Sequence, residues 1–378
     1  MRVVVVAEYF PRPRDPVLGV WALRQAVAAR DAGADVRVVV LDRPGGRDEL
    51  RAWSRGLGRR EVEGLEVEHV PLLAPPPRSR TYGTWGAFAA PALRRALRRA
   101  PFDLVHAHYA VPAGDAARRL GVPYVVSDHG GDTRWTARRW PGAVRRGFAG
   151  ARLVLSNSAG SERLARAAGA RATRVVHLGT DVPCAPIPRA PGPTIATVAH
   201  LVPRKRHEDV LRALRELPGV RWVVVGDGPE RGRLEALARD LGVAARVTFT
   251  GQLPPEEARR HARTAWALVM PSVDEAFGVA YVEAMAAGLP AVATAGEAGP
   301  EELARLGGGV VLVPPRDPAT LAGELRELLG DEGLRRELGA EARETVLSHF
   351  TWEACGRATV AAYAEALGGK TSPTPFPG

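Results

Sequence analysis

The sequence contains little cysteine and little lysine. Cys184 and Cys355 are its only cysteines, and Lys205 and Lys370 its only lysines. Two cysteines so far apart make a disulfide framework implausible, which suits a reducing compartment. The net charge of +10 therefore comes almost entirely from arginine. It indicates either solvated helix faces or attraction to an anionic partner.

Long apolar runs and common binding signatures are also absent. No run reaches the ~18 residues that a membrane span needs, and the opening residues are typical of a short strand rather than a signal peptide. We therefore expect a cytoplasmic protein. No helix-turn-helix, zinc-finger or RNA-binding signature accompanies the positive charge, so no nucleic-acid partner is predicted. The lack of any Asp-x-Asp motif predicts no acidic metal site of that type.

Short β-branched strands alternate with helical segments through both halves of the chain. This pattern predicts an α/β fold with two doubly wound, Rossmann-like domains. The predicted strands cover residues 2–7, 35–41, 65–70, 104–108, 124–127, 153–156 and 174–177 in the first half, and 194–199, 221–225, 246–250, 267–270, 291–294 and 310–313 in the second.

Five prolines between residues 183 and 193 exclude a helix interior or central strand there, so we interpret this segment as a linker. Such sheets bind ligands beyond the carboxyl ends of their strands, so two of them predict a cleft between facing domains. The predicted organisation is an N-terminal domain over residues 1–182, the linker at 183–193, a C-terminal domain over 194–351, a helix over 352–369 that packs back on the N-terminal domain, and a tail at 370–378.

The most informative motif runs from Asp274 to Pro290, directly after a predicted buried strand. Its helix would begin near Phe277, Gly278 and Val279, whose backbone N–H groups are suited to an anion such as a diphosphate. Gly278 would allow that anion to approach closely.

The same motif contains two carboxylates, Glu275 and Glu283, which also suggest a glycosidase pair. Eight helical steps rise about 12 Å, whereas glycosidase carboxylates lie roughly 5 to 9.5 Å apart. The spacing therefore fits two ends of one long ligand better than two groups at one bond.

Glu275-x7-Glu283, within DEAFG…EAMAAGLP, resembles the signature of the family-4 retaining glycosyltransferases, also called group 1, which have the GT-B fold. The resemblance implies transfer of a hexosyl or N-acetylhexosaminyl group from a UDP- or GDP-sugar. Glu275 would contact the transferred sugar, Glu283 the ribose, and the backbone of Phe277, Gly278 and Val279 the diphosphate. The resemblance also implies that the N-terminal domain binds the acceptor and the C-terminal domain the nucleotide-sugar donor. The opening of the chain also resembles the members that build bacterial cell-surface polysaccharides, which implies a glycan or lipid-linked acceptor.

A second family-like motif, AHLVPRK, ends at Lys205. By resemblance an arginine and a lysine clamp the donor diphosphate here. Lys205 matches the lysine, but His200 stands in the arginine position. Because a neutral imidazole has one donor where arginine has five, Arg204 or Arg206 is expected to supply the missing charge.

In the first half, the resemblance places Gly19 in a glycine loop near the donor and His129 beside the reacting sugar. We expect His129 to be catalytic together with Glu275, and we interpret His106 and His108 as structural. The family resemblance implies retention of configuration. No metal ion or other cofactor is expected, because cationic groups and helix N–H groups can neutralise the leaving diphosphate.

Two alternative functions remain. A sugar-nucleotide epimerase of the same fold would share these motifs. A dinucleotide-dependent oxidoreductase rests only on Gly226-x-Gly228, because the third glycine, Gly232, falls one place late for the fingerprint.

Residues 91–99 place Leu93 and Leu97 on one helical face, with four arginines around the rest. This pattern indicates either an interfacial helix that contacts an anionic membrane or a helix whose leucines pack on the sheet. On the first interpretation the enzyme is peripheral at the inner face of the membrane.

Overall fold

The computed structural model describes residues 1–12, 15–43, 47–54, 58–185 and 187–368. The chain forms two units, one made of Met1–Leu178 with the residues from Trp352 onward, the other of Gly179–Thr351. The predicted tail at 370–378 and residue 186 of the predicted linker lie outside the described residues. Among the described residues, no helix combines the length and apolar character needed to cross a membrane.

The first unit contains an eight-stranded sheet in the order β3-β4-β2-β1-β5-β6-β7-β8, in which only the β3–β4 pair is antiparallel. Its strands are β1 (Arg2–Ala7), β2 (Asp35–Asp42), β3 (Arg59–Val62), β4 (Leu65–Pro71), β5 (Leu104–His108), β6 (Tyr124–Asp128), β7 (Leu153–Ser156) and β8 (Thr173–Val175). Its helices are α1 (Val20–Asp31), α2 (Arg47–Ser54), α3 (Arg78–Thr81), α4 (Trp85–Leu97), α5 (Asp115–Arg119), α6 (Ala137–Arg139), α7 (Pro141–Ala149) and α8 (Ala159–Ala167), with α16 (Trp352–Ala366) from the end of the chain.

The second unit contains a six-stranded parallel sheet in the order β11-β10-β9-β12-β13-β14. Its strands are β9 (Thr194–Val198), β10 (Arg221–Val225), β11 (Val247–Gly251), β12 (Ala267–Met270), β13 (Ala291–Thr294) and β14 (Val310–Val313). Its helices are α9 (His207–Arg215), α10 (Arg231–Asp240), α11 (Pro255–Thr264), α12 (Val279–Ala286), α13 (Ala298–Leu306), α14 (Pro318–Gly330) and α15 (Glu332–His349). The prediction of two doubly wound parallel sheets is therefore confirmed.

The structure decides one part of the membrane hypothesis. Leu93 and Leu97 on α4 are completely buried in the core of the first unit. They are therefore not an apolar face for a bilayer, because their surface is already covered by the sheet and its helices. Arg95 on α4 and Arg98, the first residue after it, remain exposed.

Helix α16 packs against α1 through a close backbone approach. A Cβ atom at Gly356 would lie 2.1 Å from the carbonyl oxygen of Ala28. Beside it, Gln25 Nε2 donates a hydrogen bond to Thr359 Oγ1 over 3.2 Å, and both side chains are buried. The glycine therefore sets the distance at which the last helix joins the first unit.

We expect Gly356→Ala to destabilise the protein by about 1 to 3 kcal/mol, because the added methyl group forces α16 away from α1. Gly323 on α14 is the matched control, since nothing lies within 4 Å of a Cβ at that position. Gly323→Ala should be neutral or stabilising by up to ~1 kcal/mol. Chemical denaturation measures both variants, and equal unfolding free energies would contradict the close approach.

Candidate functional site

The loop between β12 and α12 carries Glu275 at the carboxyl edge of the second sheet. The backbone of Glu275 is held on both sides: its N–H donates to Glu297 Oε2 over 2.7 Å, and its carbonyl accepts from Gly299 N over 3.3 Å. Gly278 precedes α12 with φ of 85°, a left-handed conformation that favours glycine. The first turn of α12 thus begins where the sequence predicted an anion site.

Lys205 and Glu275 form a buried ion pair. Lys205 Nζ lies 2.5 Å from Glu275 Oε2, and Arg204 Nη1 lies 3.8 Å from the same oxygen. Only 8% of Lys205 and 7% of Glu275 are exposed. Burial lowers the pKa of Lys205, and the neighbouring carboxylate of Glu275 opposes that shift. The structure thus brings together Lys205, which is predicted to bind the diphosphate, and Glu275, which is predicted to bind the sugar.

The other residues of the predicted clamp lie differently. His200 is exposed at the end of β9. Arg206 pairs with Glu208 over 2.6 Å and with Asp209 over 2.8 Å, so its charge is already balanced within α9. Of the two arginines considered for the missing charge, Arg204 is the one that lies beside Glu275.

The Gly226-x-Gly228 turn supports the loop that carries Lys205. A Cβ at Gly226 would lie 2.0 Å from the carbonyl oxygen of Ala199, and one at Gly228 would lie 2.5 Å from that of Leu201. Both glycines are therefore explained by close backbone packing, with no need for a dinucleotide.

Glu283 lies in the middle of α12 with a quarter of its side chain exposed, and its Oε1 is 3.3 Å from Arg259 Nη1. Burial raises the pKa of Glu283, while Arg259 and Arg263 oppose that shift. Sequence reasoning missed Arg259, because α11 carries no recognisable motif. A carboxylate held in this way offers acceptor oxygens for ligand hydroxyls.

In the first unit, His129 follows β6, is partly buried, and packs against the rings of His108, Tyr109 and Trp21. His129 Nε2 lies 2.8 Å from His108 Nδ1, with the two rings stacked at 5.0 Å. Burial lowers the pKa of His129 to about 3, so the ring is neutral near pH 7. One of the two nitrogens donates and the other accepts. His108, predicted to be structural, therefore orients the predicted catalytic histidine.

His106 lies in a fully buried network. Its Nδ1 is 2.7 Å from Tyr363 Oη on α16, and its Nε2 is 2.8 Å from Ser127 Oγ. Burial lowers the pKa of His106 to about 3. These two partners explain His106 as a structural residue, as predicted.

Gly19 directly precedes α1 with φ of 68°. A Cβ there would lie 2.2 Å from the backbone carbonyl of Tyr9, so the loop after β1 and the start of α1 touch through their backbones. Gly19 therefore fixes the path of the loop at the carboxyl edge of the first sheet. Its predicted donor contact stays a prediction.

Among the described residues, no group of three or more His, Cys, Asp and Glu side chains has metal-binding geometry.

The buried neutral histidines predict a loss of stability in acid. A histidine with a pKa of about 6.5 when unfolded and about 3 when folded binds a proton only in the unfolded state between those values. The unfolding free energy should therefore fall as pH drops from about 6.5 toward 3, by roughly 1.4 kcal/mol per pH unit for each histidine. Denaturation curves across this range test the prediction. His106→Gln should make the fall shallower, and an unchanged slope would contradict it.

Comparison with known proteins matches the sequence of this chain to a family. The model described as "Glycosyl transferases group 1" matches residues 188–345, and the one described as "Glycosyltransferase Family 4" matches residues 18–182. The D-inositol 3-phosphate glycosyltransferase of Streptomyces bingchenggensis is 32% identical over 355 residues, which cover 81% of this chain and 74% of that protein.

Solved structures share the fold. Sucrose-phosphate synthase from Thermosynechococcus elongatus has a TM-score of 0.81 at 21% identity, covering 98% of this chain and 100% of the other. The HepE protein of Anabaena, solved in complex with UDP and glucose, has a TM-score of 0.74 at 20% identity, covering 96% and 99%. This chain belongs to the group 1 glycosyltransferases, the family 4 enzymes with the GT-B fold.

Proposed function

We propose that the protein transfers a hexosyl or N-acetylhexosaminyl group from a UDP- or GDP-sugar to a glycan, lipid-linked or small-molecule acceptor, with retention of configuration. The buried Lys205–Glu275 pair carries this proposal, because it places a cation and a carboxylate together at the carboxyl edge of the second sheet. Ligands bind at this edge in open α/β sheets.

The second unit supplies the groups for the donor. Lys205 and Arg204 attract the diphosphate, and the N–H groups at the start of α12, after Phe277 and Gly278, extend the same positive site. Glu283 holds the ribose hydroxyls while Arg259 keeps its carboxylate in position. Glu275 then accepts hydrogen bonds from the hydroxyls of the transferred sugar.

The reaction breaks the bond between the anomeric carbon and the phosphate oxygen and forms a bond from that carbon to the acceptor oxygen on the same face. The departing phosphate oxygen takes the proton of the acceptor hydroxyl, so no side-chain nucleophile is required. Lys205 stabilises the negative charge that grows on the diphosphate, and this lowers the barrier. His129 is neutral and fixed by His108, so its imidazole positions the sugar rather than supplying charge.

A contact with anionic membrane would depend on exposed arginines alone, among them Arg95 and Arg98, because the neighbouring leucines are buried.

A sugar-nucleotide epimerase is the alternative function, and it would use the same donor residues. Product analysis separates the two functions, since an epimerase changes the donor sugar without consuming an acceptor.

The donor residues should separate by kinetic effect. Glu275→Gln should lower kcat by about 100-fold or more with a smaller change in donor KM, because Glu275 is the one of these three donor residues that contacts the sugar that reacts. Lys205→Gln and Glu283→Gln should mainly raise donor KM, by about tenfold or more. Release of UDP or GDP measures each variant. Transfer at the parent rate by Glu275→Gln would refute the central assignment.

The buried pair requires a control for folding. Removing one partner leaves a buried charge uncompensated, which costs about 3 to 5 kcal/mol. The double variant Lys205→Gln with Glu275→Gln removes both charges and should regain stability but not activity. Thermal unfolding of the three variants distinguishes lost chemistry from lost structure.

Activity should not depend on a divalent ion, because Lys205, Arg204 and helix N–H groups carry the charge of the leaving diphosphate. Incubation with EDTA should leave the rate of UDP or GDP release unchanged. Loss of activity with EDTA and its recovery on addition of manganese would contradict this prediction.

A further inference from the structure

A cavity of about 400 Å³ lies at the carboxyl edge of the first sheet. Tyr9 follows β1, Tyr109 follows β5 and Gly131 follows β6, so the loops after three adjacent strands form its walls. A volume of this size is within the range of pockets that bind small ligands. We call it the aromatic pocket.

Aromatic side chains are concentrated in this pocket. Six of the fourteen tryptophans and tyrosines in the chain, which has eight and six respectively, line it. They are Tyr9, Trp21, Tyr82, Tyr109, Trp135 and Trp140. Trp135 is 43% exposed, which is unusual for so large an apolar side chain, since tryptophan is highly buried on average. Such a surface favours a ligand with an apolar face.

Two glycines bring the rings to their positions. A Cβ at Gly83 would lie 2.5 Å from Trp140 Cδ1, and one at Gly131 would lie 3.0 Å from Tyr109 Cε1. The rings also contact one another: the centroids of Tyr9 and Tyr109 are 5.5 Å apart in an edge-to-face arrangement. The aromatic walls are therefore packed into place rather than scattered on the surface.

The charge in the pocket is balanced. Arg78 is the cation among the described lining residues, and its Nη1 lies 3.0 Å from Glu8 Oε1. Its guanidinium also lies 4.2 Å from the ring centroid of Tyr82, whose hydroxyl is 2.8 Å from Glu8 Oε2. Arg78 therefore supplies hydrogen-bond donors with little net positive charge for an anionic ligand.

The aromatic pocket adjoins the predicted catalytic histidine. The ring of Tyr109 lies 5.3 Å from that of His129, and the ring of Trp21 lies 6.0 Å from it. A molecule held on these rings would therefore lie beside His129, where the resemblance places the reacting sugar.

We propose that the aromatic pocket binds the acceptor as an uncharged saccharide ring stacked on Trp135 and its neighbouring aromatic side chains. This inference rests on the proposed transfer reaction and names its acceptor class. A pyranose presents a face of C–H groups with a partial positive charge, which matches the negative face of an aromatic ring. Its rim of hydroxyls matches the hydroxyls of Tyr9 and Thr136 and the donors of Arg78.

The proposal also excludes a class of acceptor. A sugar or polyol phosphate buries negative charge and needs cations that are not already paired. Arg78 is paired with Glu8, so the pocket should prefer a neutral sugar to its phosphate ester. The acceptor of this protein would then differ in charge from the D-inositol 3-phosphate in the name of its relative.

Binding can be measured without knowledge of the natural acceptor. Saturation-transfer NMR on the full chain would use a panel of glucose, galactose, mannose and their methyl glycosides, in the presence of UDP or GDP. At least one neutral sugar should bind, and Trp135→Ala should weaken it by roughly five- to tenfold. Phe88→Ala is the matched control, because Phe88 is 44% exposed on α4 outside the pocket, and it should leave binding unchanged.

The charge balance has its own test. Glucose should bind more tightly than glucose 6-phosphate, and Glu8→Gln should shift this preference toward the phosphate by roughly tenfold, because it leaves the charge of Arg78 uncompensated. Tighter binding of glucose 6-phosphate by the parent protein would overturn the neutral class. Tighter binding of 4-hydroxybenzyl alcohol than of any sugar would overturn the saccharide class.

The remaining outcomes separate this inference from the proposed function. If UDP or GDP raises the melting temperature but no sugar binds, or Trp135→Ala binds sugar as the parent does, the aromatic pocket is not the acceptor site while the donor assignment stands. If neither nucleotide binds, the proposed transfer reaction itself fails.

Discussion

The buried pair of Lys205 and Glu275 is the interaction around which the second unit organises its candidate site. A single buried charge would be very costly, so each of these residues requires the other. The surrounding backbone then holds both in place: Gly226 and Gly228 support the loop before Lys205, while Glu297 and Gly299 hold the backbone of Glu275. Backbone contacts at these three glycines and at Glu297 thus determine where the two charges meet.

On the proposed function, the same pair would serve both binding and chemistry. A diphosphate that takes the ammonium of Lys205 would release the carboxylate of Glu275 from its partner, and that carboxylate would then accept hydrogen bonds from the hydroxyl groups of the sugar. Arg204 lies 3.8 Å from Glu275 and offers a second cation to the released carboxylate. Donor binding would therefore exchange one set of charge-assisted hydrogen bonds for another.

Much of this could be predicted from the sequence. The parallel strands were recognisable because buried β-branched runs alternate with helical segments, and Glu275, Glu283 and Lys205 stand in motifs with fixed spacing. Strand β3 was not predicted, because Arg59–Val62 is a short, charged edge strand that lacks the apolar pattern of its neighbours. Arg259, Glu297 and His108 were missed as partners of site residues for a different reason. Each acts through a contact between elements distant in sequence, and no local pattern records such a contact.

The glycines behind the aromatic rings bear on how acceptor choice changes during evolution. Gly83 never faces the pocket, yet its missing side chain is what allows the ring of Trp140 to lie where it does. An alanine there would displace the indole and so change the shape of the aromatic pocket. If the pocket holds the acceptor, as we propose, a substitution outside its lining would alter specificity, and two chains with identical lining residues could differ in the acceptors they take.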